Sequence, residues 1–505
     1  MTKEMGLIMK YISTRGNQQE LQSAEAIIAG IAADGGLFVP TSLPNLEAGF
    51  IENLIDLTYQ ERAQKVLAKF LVDYTAEELE KCVNNAYGDA NFDSPAVAPT
   101  VNFGKENSVL ELWHGPTSAF KDMALQLLPQ LMSTALQKTG EKAEIVILVA
   151  TSGDTGKAAL EGFKDVEQIR IMVFYPQDGV SQIQRLQMVS QKGSNVAVVA
   201  VNGNFDDAQT GVKNIFSDKA FNTELNTKGF QLSSANSINW GRLVPQIVYY
   251  FSSYADLLKN NKIKNGDKVN FVVPTGNFGN ILAGYYAKTM GLPINKLICA
   301  SNANNVLTDF LKTGTYNKKR AFYKTNTPSM DILISSNLER LLYHIGGGDR
   351  AQVKEWMTAL NTNGEYSVNK TYVDKIQEAF WADWASDEQT AAKIKEVYDQ
   401  YNYIVDTHTA VAWEVADRYK LKTGDNRPNI IVSTASPYKF NESVLKALDA
   451  TKVVNTDEFK MLDELEKLNA TKVPAGLSSL RNAEILHSKQ CVKEDMAVTV
   501  KKLLY

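Results

Sequence analysis

The chain has 505 residues, 44% of them apolar and 22% charged, with a formal net charge of −4. That length suits two or three domains, or one large α/β body with appendages, and the composition is neither that of a disordered chain nor of a fibrous repeat. The acidic excess offers no broad basic face for a nucleic-acid backbone, and no run approaches the ~18 apolar residues of a membrane-spanning helix.

The start, MTKEMGLIMKYISTRG, carries Glu4 and has no signal-peptide core. Cys82, Cys299 and Cys491 are odd in number and far apart, so neither a disulfide framework nor a cysteine-rich metal site is expected. A reduced, cytoplasmic setting is the expectation. The first ~100 residues mix short apolar runs with acidic helical segments such as TAEELEKCVNNAYGD (75–89). Pro95 and Pro99 make FDSPAVAPT (92–100) an extended connector, because proline disfavours helix at its own position and the one before it. A boundary is placed there: a small α+β domain over 1–97, a catalytic body over 98–450, and a helical extension over 451–505.

From about 108 strands and helices alternate. β-rich runs lie at 144–150, 169–175, 195–201, 269–274, 296–301 and 429–434, and nearly continuous apolar runs of this length suit strands buried on both faces of a parallel sheet. Helical patterns lie between them, at 157–165, 180–193 and 241–260, which predicts α/β with crossover helices. After 450 a charged helical segment, TDEFKMLDELEKLNA, leads into a polar tail.

Open α/β sheets bind ligands outside the carboxyl ends of their strands, so four segments carry the chemical reading. In ELWHGPTSAFKDMALQLL (111–128), Lys121 opens an apolar helical pattern. Desolvation there favours its neutral, nucleophilic form, although a lysine taken alone reads far more often as a solvated surface residue. His114 in the same segment reads as packing rather than as a metal ligand. TSGDTGKAAL (151–160) fails the P-loop pattern, since it has Thr151 and Ala158 where that motif needs glycine and a hydroxyl. What remains is a polar loop able to cap a helix or hold a carboxylate. TGNFGNILAGYYAK follows the run at 269–274, and Gly276 and Gly279 let a loop open a helix whose free N–H groups suit a phosphate. A bare glycine turn reads the same way. In IIVSTASPYKF (430–440), Ser433, Thr434 and Ser436 stand at a strand end, as turn caps or facing a ligand. A reactive lysine, a phosphate cradle, a carboxylate loop and a hydroxyl at neighbouring strand ends together suit pyridoxal phosphate.

In order along the chain, HGPTSAFKD (114–122), TSGDTG (151–156), NSINWGR (236–242), PTGNFGN (274–280) and TASPYKF (434–440) resemble motifs of the threonine synthase family, as do YISTRG (11–16) and THTAVAWE (407–414). The likeness is to its longer class, with an extra N-terminal domain. It implies a two-lobed fold of the tryptophan synthase β-like type (fold type II), with open, mostly parallel sheets and a smaller mobile lobe over roughly 140–235. Lys121 would hold pyridoxal 5'-phosphate covalently and then move protons between substrate carbons. Gly276, Asn277, Phe278, Gly279 and Asn280 would bind the cofactor phosphate, Thr434 its pyridine nitrogen, and Asp154 would lie near its ring hydroxyl. Ser152 and Thr155 are implied for the substrate carboxylate, and Asn236, Ser237 and Arg242 for its phosphate. The implied reaction turns O-phospho-L-homoserine and water into L-threonine and phosphate, in a monomer or homodimer. Two positions depart from the longer class, which usually has Asp at 280 and His at 436. A threonine or serine dehydratase, a β-replacement enzyme of the same fold, and a non-catalytic phosphate-ligand-binding relative are the alternatives.

Overall fold

The larger sheet has six strands, in the order Phe380–Trp384, Ile294–Ser301, Val269–Pro274, Asn429–Ser433, Asn107–Glu111 and Thr100–Phe103, in a computed structural model describing residues 9–16, 19–104, 106–151, 153–177, 180–453, 457–468 and 471–505. Every neighbouring pair is parallel except the last. The strands Val269–Pro274 and Asn429–Ser433 are buried at every position. Their nearly continuous apolar runs follow from that burial, because helices cover both faces. The smaller sheet is wholly parallel, in the order Lys489–Cys491, Val196–Val201, Ile169–Pro176, Glu144–Ala150 and Phe230–Ser233. Among the described residues no helix is long and apolar enough to cross a membrane.

The N-terminal helices Tyr59–Leu67 and Ala76–Ala86 each start at a capping box, Thr58 with Glu61 and Thr75 with Glu78. Each box satisfies two N–H groups that a helix start otherwise leaves open. Their apolar faces join the main core. Trp240 is fully buried, its ring centroid 5.2 Å from that of Tyr11 and 5.7 Å from those of Phe70 and Tyr286. Buried Arg62 donates to Asp256 at 2.6 Å and to the Leu54 carbonyl at 2.9 Å.

Several elements differ from the sequence expectation. The strands Asn107–Glu111 and Phe380–Trp384 were not expected, because polar or charged residues interrupt both runs. The helix expected over 241–260 is two, Trp240–Leu243 and Pro245–Lys259, since Pro245 has no N–H to continue the first. The tail after 451 holds helix Glu458–Leu468, but it also returns a strand, Lys489–Cys491, to the smaller sheet beside Val196–Val201. Three residues carry too short a pattern to read as a strand.

His114 does more than pack. One ring nitrogen lies 2.6 Å from Asp93 and the other 2.8 Å from Glu111, which ties the 92–100 connector to the end of the strand Asn107–Glu111. Burial opposes its charge, but the two carboxylates outweigh it and raise the imidazole to about 9. A group raised in the folded state stabilises fully below its unfolded value, near 6.5, and loses that contribution as pH climbs through about 9. Because Asp93 is largely exposed, we expect only about 1–2 kcal/mol from it. The thermal midpoint should therefore fall between pH 7 and 9.5, and His114→Gln should flatten that fall.

Candidate active site

Two segments far apart in sequence pair to set the orientation of Lys121. The Phe120 N–H donates to the Thr434 carbonyl at 2.8 Å, the Ser436 N–H to the Ser118 carbonyl at 3.0 Å, and Ala119 bridges Ala435. Asp122 folds the preceding turn, accepting from the Thr117 N–H at 2.8 Å and its hydroxyl at 2.6 Å. Burial lifts the Asp122 carboxyl to about 6 despite those bonds. Lys121 thus opens the helix Lys121–Leu125, its amine 5.5 Å from the Phe120 ring centroid and 3.7 Å from an oxygen of Asp154.

Burial lowers the Lys121 ammonium to about 8, Arg242 and Lys439 push the same way, and Asp154 opposes them. At pH 7.5 about a quarter of such an amine is neutral, against about one part in a thousand for an ordinary lysine. Asp154 opens the helix Asp154–Phe163. Its own burial favours the neutral acid, but Lys439, then Lys121 and His408, outweigh that and hold the carboxyl well below its usual range. Lys439 donates to Asp154 Oδ1 at 2.8 Å and has no exposed side-chain surface. Gln184 donates to the same oxygen at 3.1 Å, and the Ser329 hydroxyl lies 3.4 Å from Oδ2.

The glycine loop follows the strand Val269–Pro274 and opens the helix Gly279–Met290. Phe278 takes a left-handed φ of 65° there, strained for a side chain of its size. A Cβ on Gly276 would stand 2.8 Å from the Ser329 carbonyl oxygen, and one on Gly279 would stand 3.2 Å from Ser237 Cβ. The loop is held from behind. The Asn337 N–H and side-chain amide both donate to the Asn277 carbonyl at 3.1 Å, and the Ser335 hydroxyl donates to the Gly276 carbonyl at 2.9 Å. With its carbonyls occupied behind, the loop has the N–H groups of a helix start to offer in front. Buried Asn280 accepts from the Tyr249 and Tyr250 hydroxyls at 2.7 and 2.8 Å, while its Nδ2 has no partner among the described residues. An amide accepting both hydroxyls on one oxygen leaves its donor unpaired, where a carboxylate would leave none. The tight glycines, the helix start and this spare donor fit a phosphate-bearing cofactor.

Ser237 and Asn236 border the loop: the Ser237 hydroxyl accepts from Asn337 at 2.8 Å, and the Asn236 N–H donates to Ser234 at 3.1 Å. Buried Arg242 donates to the Ala235 carbonyl at 2.6 Å and pairs with no carboxylate among the described residues; burial brings its guanidinium down to about 10. Thr151 accepts from the Gly153 and Gly156 N–H groups at 3.0 Å, shaping the loop from which Thr155 rises on the first helical turn. Ser152 lies outside the described residues. Ser436 caps the turn Pro437–Phe440, accepting from the Tyr438 N–H at 3.4 Å. Sequence reasoning missed Lys439, Asn337, Arg340 and Glu339. Arg340 donates to the carbonyls of Phe38, Ser237 and Ile238 and to Asn337 Oδ1 at 2.6–3.0 Å. Glu339 receives both Arg15 donors, at 2.9 and 2.7 Å, and the Thr14 hydroxyl, so the YISTRG segment buttresses the loop's support.

We expect Gly276→Ala to destabilise the fold by about 1–3 kcal/mol, since its new methyl meets backbone rather than a flexible side chain. Cofactor affinity should weaken at least tenfold, measured by absorbance titration of the cofactor-free chain.

Three family profiles match this chain: "Threonine synthase N terminus" over 10–87, "Pyridoxal-phosphate dependent enzyme" over 107–368, and "Threonine synthase, C-terminal" over 409–483. Saccharomyces cerevisiae threonine synthase is 38% identical over 96% of this chain and 98% of its own length, and the Pseudomonas aeruginosa protein 41% identical over 87% and 90%. A human protein named threonine synthase-like 1 is 42% identical over 94% of this chain, which spans only 63% of that longer relative. The crystal structure of a Brucella melitensis threonine synthase with bound pyridoxal phosphate superposes with a TM-score of 0.86, at 38% identity, covering 98% of this chain and 99% of that one.

Proposed function

The chain belongs to the threonine synthase family of pyridoxal-phosphate enzymes, and on that premise we propose that it converts O-phospho-L-homoserine and water into L-threonine and phosphate. The observation that carries this reading is the buried Arg242, a guanidinium with no carboxylate partner among the described residues, beside the segment Asn236–Ser237, because a dehydratase needs no second anion site. The loop Gly276–Asn280 would hold the cofactor phosphate, Thr434 its pyridine nitrogen, and Lys121 its aldehyde carbon. Bound there, the cofactor supplies an electron sink that makes carbon-bound protons of the substrate acidic. A hydroxyl at Thr434 cannot balance a full pyridinium charge, which moderates that sink and suits elimination and replacement.

The remaining roles fall to residues of the same segments. The Lys121 amine would take the protons at Cα and then Cβ, which lets phosphate leave Cγ, and deliver one at Cγ before water adds at Cβ, a task for which a group near neutral pH is best matched. Arg242, Asn236 and Ser237 would grip the phosphate that leaves Cγ, and Ser152 and Thr155 the substrate carboxylate. Asp154, held ionised, would face the cofactor's ring hydroxyl. We assign residues 1–97 to the buttress described above, and the reaction to a cytoplasmic enzyme. The test is phosphate release from O-phospho-L-homoserine by the purified chain, with the amino acid product identified. Threonine is expected, and a 2-oxo acid in its place would move the chain to the dehydratases.

A further inference from the structure

We propose that Lys439 is a positioning residue of this site: by occupying Oδ1 of Asp154 it keeps that carboxylate from capturing the Lys121 amine. The proposal rests on the reading that Lys121 is the cofactor's lysine, and it adds a residue to which the reading gives no part. Asp154 stands between two lysines that it holds unequally. Lys439 lies 2.8 Å from Oδ1, and Lys121 3.7 Å from Oδ2.

The other contacts of Lys439 make it a fixed cation. Its amine also donates to the Thr117 carbonyl at 2.9 Å and lies 3.5 Å from Gln187 Oε1, which engages all three of its donors. Its side chain has no exposed surface. A carboxylate as buried as Asp154 needs a cation. If Lys439 did not provide one, the nearest other amine is that of Lys121, and a tight ion pair there would hold the nucleophile protonated. The remaining groups facing the pair do not replace Lys439. Gln184 and Ser329 are neutral, His408 bonds through Nε2 to the Ser329 N–H, and Arg242 donates to the Ala235 carbonyl rather than to Asp154. Asp122 is directed to Thr117.

Lys439 also joins the two halves of the site. It follows the strand Asn429–Ser433 of the larger sheet, whereas Asp154 opens a helix packed on the smaller one and Gln187 lies on the helix Gln182–Val189 beside that helix. Its contact is thus one by which the placement of the smaller sheet's loop is coupled to the Lys121 motif.

The test is competitive labelling of Lys121 with acetic anhydride, across pH, in the full-length chain stripped of cofactor. Lys439→Met should raise the apparent titration of Lys121 by about one pH unit, so that labelling at pH 7.5 slows roughly tenfold. Lys439→Arg, which keeps the charge, should stay within about twofold of the parent. If the Met variant does not accumulate as folded protein, Lys439→Gln carries the same readout. A folded neutral variant with unchanged Lys121 labelling overturns the proposal, as does an Arg variant shifted as far as the Met one. The labelling needs no substrate, so a parent chain that releases no phosphate yet gives these shifts would discard the proposed reaction and leave this inference standing.

Discussion

Replacing Lys121 by alanine is expected to lower phosphate release by at least about 10⁴-fold, because it removes both a covalent anchor and a general base, the latter alone worth roughly 10²–10⁴. The choice of Lys121 over its neighbour follows from their surroundings. Lys439 contacts the same carboxylate, Asp154, but its amine is committed to that carboxylate, a carbonyl and an amide oxygen within 3.5 Å. Among the described residues Lys121 has a single ion-pair contact, Asp154 at 3.7 Å, with the Phe120 ring centroid 5.5 Å away, and its ammonium is lowered to about 8 by burial. Only the second arrangement supplies an unbonded amine at neutral pH. Borohydride reduction of the loaded parent should fix the cofactor to the peptide carrying Lys121, and the alanine variant should lose both the label and the visible absorbance of the bound cofactor. It should still bind the cofactor weakly, since the glycine loop is untouched. A label on another lysine, or turnover within tenfold of the parent, would remove Lys121 from the mechanism.

What the sequence discloses of this site is what lies within a few residues of a strand end. The apolar run Val269–Pro274 and the two glycines after it announce a buried strand and a tight loop by composition alone. The lysine and hydroxyl motifs are local in the same sense. Their pairing through Phe120 and Thr434 links positions more than three hundred apart, and nothing in either motif names the other. The supports are hidden for the same reason. Asn337 and Arg340 carry no pattern of their own and act on carbonyls at 38, 237, 238 and 277, brought together only by packing. Lys439 stood in plain view inside TASPYKF, but a lysine between two aromatic residues reads as a chain reaching to solvent. Its burial depends on an acid supplied from the start of a helix packed on the other sheet. Asn280 was legible as a departure, and its consequence, one unpaired donor behind two tyrosines, was not.

Arg242→Ala is expected to reduce kcat/KM for O-phospho-L-homoserine by about 10²–10⁴, the loss of two charge-assisted bonds of roughly 1.5–3 kcal/mol each. Two buried arginines border the loop, and their bonding separates them. Arg340 spends its donors on three carbonyls and an amide oxygen, so it is a strut. Arg242 gives one bond to the Ala235 carbonyl and keeps the rest of its fork, in a setting where burial already penalises its charge. A guanidinium left so is stabilised when a dianion arrives. Cofactor absorbance should survive the substitution, and any slow turnover of L-serine, which has no phosphate to hold, should fall far less, by no more than the change in Lys121 titration that loss of the fork brings. One further sign is fixed by electrostatics: Arg242 helps lower the Lys121 ammonium, so its removal should move the acidic limb of the pH profile upward. An alanine variant whose kcat/KM stays within threefold of the parent would leave the phosphate site unassigned, and with it the distinction between this reaction and a simple dehydration.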